Sequence, residues 1–359
     1  MPNEFSPLYM LMSEIGTFTD CALITSDVNR RYFTGMKSSA GTLLVFSDEA
    51  YLIIDSRYYE KAGRTVIGCS VILQDDLYKQ INELLADHDA AKLSLEAANV
   101  TVAELDRLSE RISCDIDSSS ELSDTISSIR VLKRGEEIES VIAAQRIAEK
   151  GFDHILDYIR KPDVTEKMIQ LELDFFMLSN GAEALSFDTI ALSGKNTSMP
   201  HGVPTDKKVG KGEFVLLDFG AVVNGYHSDM TRTVCLGTPD NEMRKVYDIV
   251  LKAQLAGLAA VREGISCKEL DSSARNIIED AGYGEYFGHS LGHGVGMDIH
   301  EAPTASPRSD EILAADMIVT VEPGIYIPEV FGVRIEDFVV VREDGCFNMT
   351  NAPKELIML

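Results

Sequence analysis

The sequence predicts a small α/β domain followed by a larger α+β domain built from two similar halves. The chain has 359 residues, which is more than one hydrophobic core usually supports. Short apolar segments alternate with helical periodicity over the first third of the chain. Beyond a polar stretch, one order of elements occurs twice. We therefore predict two domains, over residues 1–125 and 126–359.

The first domain is predicted from its runs of Val, Ile and Leu, which are typical of buried strands. Strands are expected over residues 21–25, 42–46, 51–55, 70–73 and 92–96. Helical periodicity is present at 76–86 and 102–112. The stretch at 115–128 is polar and rich in serine, and it marks the end of this domain.

The second domain is predicted from a repeated order of long helix, short helix and extended segments. The long amphipathic helices are expected at 136–159 in the first half and 239–262 in the second. The extended segments that follow include the hairpin 214–236 in the first half and residues 318–341 in the second. The short helices begin at Thr165 and at Ser266, where Glu269 completes a capping box.

Acidic residues occupy matching places in the two halves. The distance along the chain from Thr165 to Asp218 in the first half is nearly the same as that from Ser266 to Glu322 in the second. Asp229 and Glu336 then follow as second acids at similar offsets. Two matches of this kind predict a duplicated unit with an internal pseudo-twofold relation, although few residue identities repeat.

The charge balance restricts the possible partners. The chain carries 33 basic and 58 acidic residues, for a net charge of −25, which opposes binding to nucleic acids and to anionic membranes. The six cysteines form no CxxC pair, which favours reduced thiols over disulfides or a zinc site. The first residues do not resemble an export signal, and no apolar run is long enough to span a bilayer. We expect a cytoplasmic protein.

The first hairpin contains two acids that we expect to point to the same place. Asn224-Gly225 between apolar flanks predicts a two-residue turn that pairs Val223 with Tyr226. In that register Asp218 and Asp229 share one face, and two close carboxylates repel unless a proton or a cation lies between them. The alternative is that both acids are solvent-facing charges on a two-sided strand.

A second cluster contains three of the seven histidines. His289, His293 and His300 lie within twelve residues, and glycines on both sides of His293 allow close approach of backbone and ligand. Neutral imidazole is the commonest metal ligand. One such histidine could equally satisfy a hydrogen bond in the core. His201, in a Met-Pro-His-Gly segment, is weaker evidence by itself.

The third cluster lies near the carboxyl end of the chain. Glu322 follows an apolar strand at a Pro-Gly turn, and Arg334 and Glu336 alternate with apolar residues in the next hairpin. A plain surface ion pair between Arg334 and Glu336 is the alternative interpretation. Four carboxylates and one imidazole suit two divalent ions, with manganese expected first and cobalt, zinc or iron as alternatives.

These motifs together resemble those of the pita-bread metallopeptidases, in the branch of Xaa-Pro aminopeptidases and Xaa-Pro dipeptidases (prolidases). The matching segments, in chain order, are GMKSSAGTLLV…DSRY, RVLKRGEEIESV, FDTIALSGKNTSMPHG, LDFGA…SDMTRT, HSLGHGVG…HE, VEPGIY and RIED. The resemblance covers nearly the whole chain. It implies a creatinase/prolidase-like first domain and a pita-bread catalytic domain.

The resemblance also implies roles for individual residues. The metal ligands would be Asp218, Asp229, His293, Glu322 and Glu336. Glu322 would also handle the proton of the nucleophile, and His201, His289 and His300 would act on the substrate, with His300 at the scissile carbonyl oxygen. Arg334 and Tyr326 would support the site.

The implied activity is hydrolysis of the bond between an N-terminal residue and a following proline in Xaa-Pro peptides, by a homodimer with two divalent ions. Aminopeptidase and dipeptidase share this set of residues, so the sequence leaves the choice open, together with the native metal and the preferred first residue. The alternatives are a methionine aminopeptidase-like enzyme, a metal-free creatinase-like hydrolase and a binding module without catalysis. The intact ligand set argues against the last two.

Overall fold

The computed structural model describes residues 6–359, and residues 1–5, which open the predicted first domain and the stretch considered for an export signal, lie outside the described residues. The chain divides into two compact units between Arg130 and Val131. No helix in the described part of the chain is both long and apolar enough to cross a bilayer.

The described residues of the first unit form one six-stranded mixed sheet and six helices. The helices are α1 Pro7–Glu14, α2 Asp27–Thr34, α3 Ser56–Thr65, α4 Leu77–Asp87, α5 Val102–Arg111 and α6 Glu121–Val131. The strands are β1 Cys21–Ile24, β2 Thr42–Val45, β3 Ala50–Ile54, β4 Ser70–Leu73, β5 Lys92–Leu95 and β6 Asp115–Asp117, in the order β4-β3-β2-β1-β5-β6. The central strands are buried on both faces, which explains their continuous apolar runs.

Several elements of this unit were not predicted. Helices α1, α2 and α3 have only 8 to 10 residues, and α6 and β6 are rich in polar residues, so the sequence offers few apolar positions to predict them. In α6 the serine-rich surface hides an apolar stripe of Leu122, Ile126 and Ile129, which is buried. Because this helix runs through position 125, the two units divide a few residues later than the predicted boundary.

The second unit contains four helices and thirteen strands. The helices are α7 Gly135–Ile159, α8 Glu166–Ser179, α9 Asn241–Ala260 and α10 Cys267–Asp280, and the capping box of Ser266 and Glu269 at the start of α10 is confirmed. The strands of the first half are β7 Ala184–Leu185, β8 Ile190–Ser193, β9 Glu213–Phe219, β10 Ala221–Val223, β11 Tyr226–His227 and β12 Met230–Leu236.

The strands of the second half are short and form small antiparallel groups. They are β13 Gly292–Gly294, β14 Glu301–Ala305, β15 Ile318–Val321, β16 Gly324–Ile327, β17 Phe331–Arg334, β18 Asp337–Arg342 and β19 Gly345–Asn348. The sheets have the orders β11-β10-β7, β12-β9-β8, β13-β14, β15-β18-β19 and β16-β17.

The duplicated order is visible in the packing. In the first half α7 packs on α8, and their apolar faces enclose one core together with strands β8, β9 and β12. In the second half α9 packs on α10 around a separate core with β15, β17 and β18. The two faces of β9 contribute to different cores, because Val215 belongs to the first and Phe214 to the second.

The predicted turn of the first hairpin is confirmed. Asn224 and Gly225 both have positive φ, 53° and 85°, as a two-residue turn of this type requires. Val223 pairs with Tyr226, and the same register continues to the pairing of Asp218 with Thr231. The second strand of the hairpin is interrupted, which was not expected, because residues 228 and 229 between β11 and β12 are not in strand conformation.

Candidate metal centre

The first half of the second unit delivers two carboxylates through one hairpin. Asp218 lies next to the last residue of β9, and Asp229 directly precedes β12. The exposed fraction of Asp229 is only 5%. Solvent-facing charges, the alternative interpretation of this hairpin, are therefore ruled out.

The second half delivers the other three candidate ligands from strand ends. His293 is the central residue of β13, Glu322 directly follows β15, and Glu336 lies between β17 and β18. Two backbone hydrogen bonds hold the acids in place. Glu322 N–H donates to the Leu291 carbonyl (2.9 Å), and Glu336 N–H donates to the Thr231 carbonyl (3.1 Å). The last bond joins this half to the first hairpin.

The side chains of these residues converge. Asp229, His293 and Glu336 each offer a ligand atom, and the three atoms lie within 4.8 Å of one another. The Nε2 atom of His293 is 3.6 Å from Asp229 Oδ2 and 3.4 Å from Glu322 Oε1. The fifth candidate, Asp218, is close enough for its charge to act on Asp229.

The electrostatics of the cluster disfavour four ionised carboxylates without a cation. Burial, and next the charge of Asp218, raises the pKa of Asp229 well above its usual value. Burial, and next the charge of Asp229, does the same to the pKa of Glu336. Burial also raises the pKa of Glu322 to about 8, although Arg334 acts in the opposite direction. Divalent cations would remove this repulsion.

The hydrogen bonding of the cluster fits a metal. Asp218 Oδ1 and Glu336 Oε1 are buried and have no hydrogen-bond partner among the described residues. The Nδ1–H of His293 donates to the Gly294 carbonyl (3.0 Å), which leaves Nε2 with its lone pair directed at the carboxylates. Burial lowers the pKa of His293, which favours the neutral ring that a metal ligand requires. Oxygen donors with one imidazole suit divalent ions of the manganese, iron, cobalt or zinc kind.

Arg334 links the cluster to a neighbouring aromatic and imidazole pair. Its guanidinium donates to Asp218 Oδ2 (2.5 Å), to the Tyr326 hydroxyl (2.7 Å) and to Thr231 Oγ1 (2.9 Å). The Tyr326 hydroxyl in turn lies 3.0 Å from His289 Nε2. Because Arg334 and Glu336 are both buried and Arg334 pairs with Asp218, a surface ion pair between Arg334 and Glu336 is ruled out.

The three remaining histidines differ in their surroundings. Burial lowers the pKa of His289 to about 4, with a further contribution from Arg334, so its ring is neutral. The ring of His300 lies edge-on to that of His293, with 4.4 Å between centroids. His201 is exposed on the loop that follows a 3₁₀ turn at Gly194–Ser198.

Two threonines of the site were missed by the sequence analysis. Thr231 donates from its hydroxyl to Glu336 Oε2 (2.7 Å) and accepts from Arg334, so it orients a carboxylate and a guanidinium together. Thr320 accepts from the His293 backbone N–H (3.0 Å) and donates to Glu322 Oε1 (3.2 Å). Their only sequence signal is a hydroxyl at a buried position of an apolar strand, which is a weak one.

Comparison with known proteins gives the family of the chain. The family model described as metallopeptidase family M24 matches residues 139–343, which is more than half of the chain. The chain belongs to metallopeptidase family M24. The family model of the Creatinase/Prolidase N-terminal domain matches residues 8–132. The predicted combination of a creatinase-type first domain with a pita-bread second domain is confirmed.

Known proteins and solved structures are similar to the chain over nearly its whole length. The Bacillus subtilis protein described as "Uncharacterized peptidase YqhT" is 42% identical over 99% of the chain and 100% of its own length. The structure described as "Xaa-Pro dipeptidase from Bacillus anthracis" is 39% identical, with a TM-score of 0.95 over 99% of the chain and 100% of its own. The crystal structure of the X-Pro aminopeptidase from Thermotoga maritima is 34% identical, with a TM-score of 0.90 over 97% of the chain and 99% of its own.

Proposed function

We propose that this M24 metallopeptidase is a dinuclear Xaa-Pro peptidase, which hydrolyses the peptide bond between an N-terminal residue and a following proline. The observation that carries the proposal is the convergence of ligand atoms of Asp229, His293 and Glu336 within 4.8 Å. Among the described residues, Asp218 Oδ1 and Glu336 Oε1 are buried there without a hydrogen-bond partner. The names of the related solved structures, which include both an Xaa-Pro dipeptidase and an X-Pro aminopeptidase, support the substrate class.

The metal-holding residues that we propose are Asp218, Asp229, His293, Glu322 and Glu336. Divalent ions bound there, with manganese expected first, supply Lewis acidity that activates water and polarises a carbonyl. Arg334 lowers the pKa of Asp229, Glu322 and Glu336 and pairs with Asp218, so one positive charge faces four carboxylates. This imbalance supports the binding of more than one metal ion.

Glu322 is the residue that we propose to move the proton. Thr320 donates a hydrogen bond of 3.2 Å to its Oε1, and this contact orients the carboxylate. Glu322 would accept a proton from the attacking water and deliver it to the proline nitrogen as the bond breaks. That delivery matters because the proline nitrogen has no hydrogen of its own in the substrate and leaves as a secondary amine.

The histidines are proposed to act on the substrate. His289 is held by the Tyr326 hydroxyl at 3.0 Å and by the Ser290 carbonyl at 2.7 Å, so its ring has a fixed orientation. His300 would donate to the scissile carbonyl oxygen, and His201 would contact the tetrahedral intermediate from its exposed loop. Donors aimed at the developing oxyanion supply much of the stabilisation of such transition states.

The choice between aminopeptidase and dipeptidase is decided by substrate length. The experiment compares hydrolysis of Xaa-Pro, Xaa-Pro-Yaa-Yaa and Met-Ala-Yaa peptides with added manganese. Cleavage of the dipeptide alone identifies a prolidase, and strong cleavage of the longer proline peptide identifies an aminopeptidase. Activity on the third peptide alone would replace the proposal with a methionine aminopeptidase, and absence of activity together with absence of bound metal would favour a binding module.

We also propose that the enzyme is a cytoplasmic homodimer. All six cysteines are free, which agrees with a reducing compartment. Light scattering coupled to size exclusion gives the mass of the particle directly. A mass of one chain of 39.5 kDa under assay conditions would contradict the dimer.

A further inference from the structure

The carboxylate of Glu166, the first residue of α8, is fully buried and surrounded by hydrogen-bond donors. Ser193 donates its backbone N–H (2.7 Å) and its hydroxyl (3.1 Å) to Oε1. Thr205 donates its backbone N–H (3.0 Å) and its hydroxyl (2.7 Å) to Oε2. The side-chain amide nitrogen of Asn196 lies 3.0 and 3.1 Å from the two oxygens. A buried charge with this many donors is well compensated.

These donors belong to the two ends of one loop. Ser193 is the last residue of β8, Thr205 lies on the return path, and His201 is in the exposed part between them. The outer residues of the loop have little packing of their own, since Met199 is 46% and Val203 is 75% exposed. A single carboxylate therefore ties together both ends of the loop that carries His201.

A second set of contacts fixes the direction of the loop. Thr197 accepts a hydrogen bond from the Gly332 backbone N–H (2.7 Å) and donates to the Gly194 carbonyl (2.7 Å). Gly332 belongs to β17, the strand that ends at Arg334. The loop is thus attached to the strand that carries the guanidinium of the metal centre. Glu166 holds the two ends of the same loop.

The second half of the unit has a comparable anchor. Asp271, fully buried in α10, accepts from the Leu291 backbone N–H (3.0 Å) and pairs with Arg275. Arg275 donates to the carbonyls of Phe287 (3.0 Å) and His289 (2.7 Å). The short helix of each half therefore supplies a buried carboxylate that holds a histidine-bearing segment.

From these contacts we infer that Glu166 is a positioning residue for the reaction, which acts by holding His201 at the substrate. The inference rests on the proposed function, because it requires His201 to contact the substrate. Glu166 itself touches only its own chain. Its charge matters because every backbone partner is a donor. In a glutamine at this position either orientation would place the amide nitrogen against the N–H of Ser193 or Thr205.

The test is a double-mutant cycle between Glu166→Gln and His201→Ala in the full-length, manganese-loaded enzyme. We expect Glu166→Gln to lower kcat/KM by roughly 10- to 100-fold, mainly through kcat, since a misplacement of about 1 Å can cost on the order of 100-fold. In the His201→Ala background the same change should cost less than about threefold, because the group that it positions is absent. An equal loss of kcat/KM in the wild-type and His201→Ala backgrounds, or no loss in the wild-type background, would overturn the inference.

Glu172→Gln is the matched control. Glu172 lies on the same helix, partly exposed, and pairs with His154 at 2.6 Å. The substitution Glu172→Gln removes one carboxylate from α8 without changing any contact of the loop. We expect its kcat and KM to stay within about twofold of the wild-type values, as for ordinary surface substitutions. A loss comparable to that of Glu166→Gln would assign the effect to helix stability and overturn the inference.

Hydrogen exchange on the metal-free proteins separates this inference from the proposed function. Glu166→Gln should raise exchange over residues 193–205 and leave residues 287–291 unchanged, whereas Asp271→Asn should do the reverse. Unchanged exchange over 193–205 would overturn the anchoring role, whatever the substrate proves to be. If the wild type cleaves no Xaa-Pro peptide, the proposed function fails, and the exchange result still decides whether Glu166 holds the loop.

Discussion

At the scale of single residues, one guanidinium faces four carboxylates, of which Asp229 and Glu336 are buried and Asp218 and Glu322 are partly exposed. Arg334 lowers the pKa of Asp229, Glu322 and Glu336, yet burial and mutual repulsion keep the pKa of all three above the usual value. One positive charge is therefore insufficient for the cluster. The imbalance is the physical reason why the side chains fit divalent cations.

His293 and Glu336 are two of the proposed metal ligands, and both belong to the group of three whose ligand atoms lie within 4.8 Å of one another. We expect His293→Ala and Glu336→Gln to weaken manganese binding by more than the roughly 10- to 100-fold typical of outer partners of a metal site, and to lower turnover by several orders of magnitude. Isothermal titration with manganese measures the affinity, and circular dichroism checks the fold. Glu343→Gln, at an exposed position, is the control. Wild-type affinity in either ligand variant would refute the assignment.

Thr231 tests whether the orientation of the ligands matters. Thr231→Val keeps the shape but leaves Glu336 Oε2 and the Arg334 Nε–H without their partner, so we expect a loss of about 1–3 kcal/mol in the free energy of unfolding. Manganese affinity should fall by roughly 10- to 100-fold. Thr231→Ser retains the hydroxyl and should restore most of both quantities. If valine and serine behave alike, the hydroxyl has no role.

At the scale of elements, the first hairpin brings its two acids together by a close approach of its strands. A Cβ atom on Gly220 would lie 1.9 Å from the Ser228 carbonyl oxygen and 2.8 Å from the Ser186 Cβ. Gly220 lies between the two acids in the fold of the hairpin, since the register that pairs Asp218 with Thr231 also sets Gly220 opposite Asp229. Only glycine permits this approach.

Gly220→Ala should therefore affect the metal centre without changing a ligand. The strands must separate to admit the methyl group, so we expect a lower free energy of unfolding, by about 1–3 kcal/mol as for overpacked sites, and weaker manganese binding. Thermal unfolding and titration calorimetry measure the two effects. Gly345→Ala is the matched control, because nothing lies within 4 Å of the added carbon. Equal behaviour of the two variants would show that the approach is not needed.

At the scale of the whole molecule, all five candidate ligands belong to the second of the two compact units. The site lies where the two duplicated halves meet, because the first hairpin supplies two of its acids and the second half supplies the other ligands. Metal binding should consequently stabilise the second unit by linkage. In hydrogen exchange, chelation should increase exchange over 214–236 and 318–341 while residues 6–130 stay unchanged.

The pH dependence of this stabilisation has a definite sign. The pKa of Glu322 rises on folding from 4.5 to about 8 without a metal, and those of Asp229 and Glu336 also rise. Protonation therefore stabilises the metal-free fold at low pH, and this contribution is lost as the pH rises through that window. We expect the difference in Tm between manganese-loaded and chelated protein to widen from pH 5 to pH 8. Calorimetry measures both Tm values across this range, and a constant difference between them would contradict the expectation.

Local patterns in the sequence were sufficient for the features that depend on neighbouring residues. Asn224-Gly225 specified the turn and its register, since both positions need positive φ. Ser266 and Glu269 specified the start of α10 through reciprocal hydrogen bonds. The duplicated order of helices and strands followed from periodicity, and the family motifs pointed to the same acids and histidines that the fold then brought together.

The tertiary structure alone decided which of these side chains meet and what holds them. Arg334 reaches Asp218 across 116 positions of the chain, and Thr231 reaches Glu336 across 105, so no local pattern distinguishes these contacts from a surface ion pair or an ordinary strand threonine. The same holds for Glu166, which reads in the sequence as an acid near a helix start and is in fact fully buried beneath the His201 loop. The physical reason is that periodicity and turn chemistry act over a few residues, whereas a buried polar group is satisfied by whichever distant strand the fold places beside it.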